Sequence, residues 1–79
     1  MPYITQAERD ALAKVRIPVT AGQLNYLITK DCLDFFNGTR GSYADLNAII
    51  GVLECAKQEF YRRVIAPYED KKIEQNGDI

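Results

Sequence analysis

Seventy-nine residues, 47% of them apolar and 27% charged, make a single small domain over residues 1–79 and too greasy a chain for disorder. Ten basic against eleven acidic residues leave a net charge of −1, which argues against a general nucleic-acid binder. Histidine and tryptophan are absent, so the usual neutral-pH proton shuttle and the usual zinc ligands are missing.

Met1-Pro2-Tyr3-Ile4-Thr5-Gln6 has neither the basic start nor the apolar run of a secretory signal, and no segment is long enough to span a bilayer. Cys32 and Cys55 are too few to staple a secreted mini-protein. The expected setting is a reducing cytoplasm.

The first helix follows Thr5. Thr5-x-x-Glu8 is a capping-box spacing, in which the hydroxyl accepts from the third helical amide and the carboxylate reaches back. Ala7, Ala11, Leu12 and Val15 form a narrow apolar stripe, and Pro18 stops the helix by forcing Ile17 toward extended geometry. Thr20 caps a second helix that runs to about Phe36. At roughly 100° per residue, Leu24, Leu27, Ile28, Cys32 and Phe35 share one face, with Tyr26, Thr29, Leu33 and Phe36 behind them. Asn37-Gly38 is expected to supply the left-handed residues of the stop, and Thr39-Arg40-Gly41 a tight connection that favours an antiparallel hairpin.

Ser42 caps the third and longest helix, with Asp45 in a shorter-armed capping box. Leu46, Ile49, Ile50, Leu53, Ala56, Phe60 and Val64 read as its core stripe, to about Ile65. Ala44, Ala48, Gly51 and Cys55 lie on the reverse side, a seam of small residues that lets two backbones approach closely. Pro67 breaks or kinks the helix, having no N–H for the Arg63 carbonyl, and suits the start of a short fourth helix to about Gln75.

The expected fold is therefore all-α: an antiparallel helical hairpin with a short N-terminal helix and a Pro-kinked C-terminal segment. Both long helices carry a second apolar side that the first helix is too short to cover. A homo-oligomer with two-fold contacts hides it most simply. In such a hairpin Cys32 stands level with about Asn47, and Cys55 lies roughly 12 Å further along. That separation forbids a disulfide within one chain, and both cysteines read as small core hydrophobes.

Asp31 and Lys57 each interrupt an apolar stripe, which would place a charge in need of a partner. Tyr61-Arg62-Arg63, with Lys57 before it and Lys71-Lys72 after it, is the strongest concentration of positive charge. Arginine forks match phosphates and carboxylates, and Tyr61 and Tyr68 offer faces on which a base can stack. Glu59, four residues before Arg63, is a ready surface partner instead. Asn25-Tyr26 is the other polar–aromatic pair, and in a hairpin it would stand level with Glu54-Cys55. The candidate ligand-binding residues are thus Asn25, Tyr26, Lys57, Tyr61, Arg62 and Arg63.

Enzyme chemistry is disfavoured. Neither cysteine has a histidine base, Gly38-Thr39-Arg40-Gly41 is too short for a phosphate loop, and Asp31 with Asp34 does not complete a metal site. A neutral start to the third helix also fails the helix-turn-helix pattern. No catalytic residue, metal ligand or cofactor is expected.

Four stretches carry a resemblance: Gly22-Gln23-Leu24-Asn25-Tyr26-Leu27-Ile28-Thr29; Gly51-Val52-Leu53-Glu54-Cys55-Ala56-Lys57; Glu59-Phe60-Tyr61-Arg62-Arg63-Val64; and Pro67-Tyr68-Glu69-Asp70-Lys71-Lys72-Ile73 followed by Asn76-Gly77-Asp78. Together they resemble a family of small proteins of tailed bacteriophages and prophages, over nearly the whole chain except the first helix. The resemblance brings no activity with it; it implies a host bacterial cytoplasm as the setting. In size and design the chain is also similar to small helical phage oligomers that sequester nucleotide signals of host immunity, a likeness of architecture alone. The expected function is a non-enzymatic oligomeric binder of an anionic nucleotide signal. The alternative is a small adaptor that binds and inhibits a host protein through Leu33, Phe36 and Tyr26.

Overall fold

The structure, a computed structural model, describes residues 2–79 and is all-helical over them. Two compact units divide the chain: the first ends at Asp45, and the second runs Leu46–Ile79.

In the first unit, α1 (Gln6–Lys14) opens on the capping box that its sequence promises. The Thr5 hydroxyl accepts the Glu8 amide at 3.1 Å, and Glu8 Oε1 accepts the Thr5 amide at 3.2 Å. The helix stops three residues short of the pre-proline position. Val15 is already extended, at φ −133° and ψ 111°, and Ile17 N–H donates back to the Val15 carbonyl. Two β-branched residues before Pro18 disfavour helix on their own, so the stop reaches further back than the proline alone requires.

Helix α2 (Ala21–Asn37) is capped by Thr20, whose hydroxyl accepts the Gln23 amide. Its end differs from expectation. Gly38 keeps right-handed geometry, at φ −84°, and the left-handed residue is Gly41, at φ 70°. A side chain at Gly41 would be strained by that φ and would bring a Cβ to 3.4 Å of the Phe36 ring. The turn is held by Thr39, whose hydroxyl donates to the Phe36 carbonyl and accepts the Gly41 amide.

One polar clasp ties the starts of α1 and α2 together. Gln23 Nε2 donates to Glu8 Oε2 at 2.8 Å, while Gln23 Oε1 accepts the Val19 amide at 2.8 Å. These bonds, the Gln23 one foremost and the Thr5 ones after it, hold the Glu8 carboxyl below its ordinary value of 4.5. Leu12 of α1 and Leu27 of α2 are the buried side chains among the described residues.

Helix α3 (Tyr43–Phe60) starts on the Ser42–Asp45 box: Asp45 Oδ2 accepts the Ser42 amide and the Ser42 hydroxyl accepts the Asp45 amide. The helical path does not break at Pro67. It passes through a wide π-turn (Tyr61–Ile65), where the Ala66 amide donates to the Tyr61 carbonyl, into α4 (Ala66–Asn76). The turn is one residue wider than an α-turn and relieves the crowding of the pyrrolidine ring on the preceding turn.

Two expectations from the sequence do not hold in the structure. The α3 stripe is not a core in this chain: Ile49 and Leu53 are half-buried, Leu46, Phe60 and Val64 are exposed, and Ile50 is 66% exposed. Val64 also falls in the π-turn, where the extra residue shifts the helical phase. Cys55 is exposed and Cys32 half-buried, so Cys55 is no core hydrophobe.

The capping box is expected to carry a measurable share of the first unit's stability. Thr5→Ala should lower it by about 1 kcal/mol. Because the Glu8 carboxyl is held below its ordinary value, its contribution is present above pH 4.5 and is lost as pH falls through the lower folded value. Amide exchange at Glu8 and Arg9, followed from neutral pH downward, should report that loss, and Thr5→Ala should reduce the acid dependence; identical profiles for the two chains would contradict it.

Candidate functional site

Helix α3 and the π-turn position the basic face of the second unit. Lys57, four residues before Tyr61, lies one turn earlier on the helix. Its ammonium is 3.3 Å from Glu54 Oε1, with 72% of its side chain exposed. It is a solvated charge rather than an interruption of a core. Glu54 also accepts from Gln58 at 3.3 Å, and that bond, with the Lys57 pair behind it, holds its carboxyl below the ordinary value.

Arg62 and Arg63 converge on one carboxylate. Glu59 Oε2 accepts from Arg62 Nη2 and, at 2.9 Å, from Arg63 Nε. Two guanidinium groups against one carboxylate leave this turn with one unit of positive charge. Both pairs are largely exposed, where such interactions contribute about 0–1 kcal/mol.

Tyr61 is fixed by its phenol, which donates to Glu69 Oε1 across the π-turn. The spacing is i,i+8. Two α-turns place a residue at roughly i+7 on the same side, and the wide turn adds the eighth position. The bond pushes the Tyr61 phenol above its ordinary 10.0, with the negative charge of Glu69 adding to it. One turn on, the Lys72 ammonium stands 5.5 Å from the Tyr68 ring centre, which occupies one face that a base would use.

The remaining two candidates belong to the first unit. Asn25 is exposed, and its Oδ1 accepts from the Thr29 hydroxyl at 3.2 Å. Tyr26 is half-buried and lines a cavity of about 130 Å³ between α1 and α2. Lys57, Tyr61, Arg62 and Arg63 are therefore gathered along one helical stretch, and Asn25 and Tyr26 lie in a different unit.

The model of the domain of unknown function DUF6899 matches residues 1–79. The chain belongs to the DUF6899 family. No curated protein matches it, and no solved structure does. Among the described residues of this DUF6899 chain, no cluster of His, Cys, Asp and Glu could hold a metal ion, and no helix is long and apolar enough to cross a membrane.

The cavity beside Tyr26 holds polar residues that the sequence does not single out. Arg9, Arg16, Lys30 and Asp34 line it with Leu12, Ala13 and Leu27. Asp31, which the stripe pattern marks as a buried charge, is 62% exposed and takes both of its oxygens to 2.9 Å of Arg16 Nη2. Arg16 and Asp31 stand 15 positions apart, so no helical spacing announces the pair; only Lys30 and Asp34, four apart on α2, were readable from sequence.

Tyr61 should titrate above 10.0, and Glu69→Gln should return it toward that value; ¹³C-tyrosine NMR reads both. The folded value is raised, so this contact contributes below pH 10 and is lost as pH climbs through the folded value. An unshifted Tyr61 in the unsubstituted chain would contradict the geometry.

Proposed function

We propose that this DUF6899 chain is a non-enzymatic helical binding protein that works as a homo-oligomer. In this reading α2 and α3 pair as an antiparallel hairpin, and a second copy packs on the reverse side of α3. The observation that carries it is Gly51. A glycine inside a helix is about 0.5–1 kcal/mol worse than alanine, and a Cβ at Gly51 would meet nothing within 4 Å. No contact in the single chain explains its absence. Ala48 and Cys55, on the same side, are exposed, and Ile50 and Val52 nearby are about two-thirds exposed. A close-approaching second helix accounts for both the missing side chain and the apolar surface around it.

The proposed ligand is an anionic small molecule of the nucleotide-signal class, met in the cytoplasm of a phage-infected bacterium. Arg62 and Arg63 would exchange Glu59 for a phosphate, Lys57 would add charge, and Tyr61 would offer a stacking face; Asn25 and Tyr26 would complete the site from α2. Assembly multiplies one modest basic turn into several, which offsets the near-neutral chain. The adaptor reading is weaker. Of its three anchors, Leu33 is exposed, while Tyr26 and Phe36 are half-buried and Phe36 packs beneath Gly41.

Light scattering on sized fractions tests the assembly. The unsubstituted chain should be oligomeric at micromolar concentration, Gly51→Ala should weaken the assembly, and Gly51→Leu should fall to monomer with its helical circular dichroism retained. A monomeric parent, or a Gly51→Leu chain that assembles like the parent, would overturn the reading.

A further inference from the structure

The cavity between α1 and α2 sits over Leu12 and Leu27, the buried pair, and three cations rim it: Arg9, Arg16 and Lys30. Their carboxylate partners are unequal. Lys30 faces Asp34 at 3.0 Å. Arg16 uses a single nitrogen, Nη2, for both oxygens of Asp31, which is not the parallel two-nitrogen fork that makes such pairs strong. Arg9 has no carboxylate partner among the ion pairs of the described residues. It is half-buried and held by neutral acceptors: Nη1 donates to the Ile4 carbonyl and Nη2 to Gln6 Oε1, each at 2.7 Å. Those bonds fix the guanidinium without neutralising it. With Asp31 and Asp34 counted against Arg9, Arg16 and Lys30, the cluster keeps one unit of positive charge on a chain whose net charge is −1.

We propose that this cavity is an oxyanion site for the phosphoryl group of a small phosphorylated compound. Size sets the class. Clefts that enclose a whole drug-sized molecule measure about 300–1,000 Å³, whereas this one is about 130 Å³ and admits a single anionic group. The rest of the compound projects into solvent. Arg9 supplies a fixed, uncompensated charge. Arg16 and Lys30 turn from exposed carboxylates that hold them weakly, and Tyr26 offers its phenol O–H and an apolar wall. The site lies wholly within the first unit; it shares Tyr26 with the function proposed above but needs neither Arg62, Arg63 nor assembly, so substitutions at Arg9 and Arg16 test it separately.

Inorganic phosphate titrated into the ¹⁵N-labelled chain at constant ionic strength, with chloride as control, tests the site. Saturable shifts at Arg9, Arg16, Tyr26 and Lys30 are expected. Arg9→Gln and Arg16→Gln should each weaken binding by about tenfold, as loss of a charge-assisted hydrogen bond does. Arg62→Gln/Arg63→Gln should leave it unchanged. Two variants are used because Arg9 also holds the Ile4 carbonyl; retained amide dispersion certifies the fold of each. A nucleoside monophosphate should bind at least as tightly as phosphate, and the bare nucleoside should not bind. Shifts that fail to saturate, that chloride reproduces, that map to Arg62 and Arg63, or that the bare nucleoside produces would each overturn the assignment.

Discussion

Leu12 and Leu27 line the same small cavity from α1 and α2, and among the described residues they are the buried side chains, 4% and 7% exposed. Burying one such leucine contributes on the order of 1.5–3 kcal/mol. On α3, Ile49 and Leu53 are half-buried, while Ile50 and Val52 beside them are about two-thirds exposed. The proposed second copy would cover this surface, with its closest approach at Gly51.

Polar detail follows the same division. In the first unit, two bonds reach across sequence, Gln23 to Glu8 and Arg16 to Asp31, and join the α1 side of the unit to α2. The local bonds from Arg9 to Ile4 and Gln6 leave that guanidinium positioned without a carboxylate. In the second unit the contacts run along one helical stretch: Lys57 to Glu54, both arginines to Glu59, Tyr61 to Glu69. Such pairs stabilise a helix and solvate a face.

Much of the local structure was legible from sequence because it is decided within four residues. Thr5 with Glu8, Thr20, and Ser42 with Asp45 cap the three helices as their spacing implies, and Glu59 pairs with Arg63 at four apart. What escaped depends on competition. Val15 and Ile17 end α1 before Pro18 does. Gly41, not Gly38, takes the left-handed turn, because Thr39 can then hold both neighbouring backbone groups. Pro67 stands at the start of a fourth helix close to the expected bounds, but a π-turn rather than a break leads into it, and the shifted phase puts Glu69 over Tyr61. The candidate ligand residues of α3 and the π-turn share one stretch as read, but the cavity at Arg9, Arg16 and Lys30 was invisible, since residues distant in sequence line it together.

The dependence of the thermal midpoint on protein concentration tests most directly whether this chain needs copies of itself to be stable. A midpoint that climbs steadily over a hundredfold increase in concentration is expected of a fold completed by association. A midpoint that does not move, with a cooperative transition at the lowest concentration, would show that one chain suffices and would contradict it.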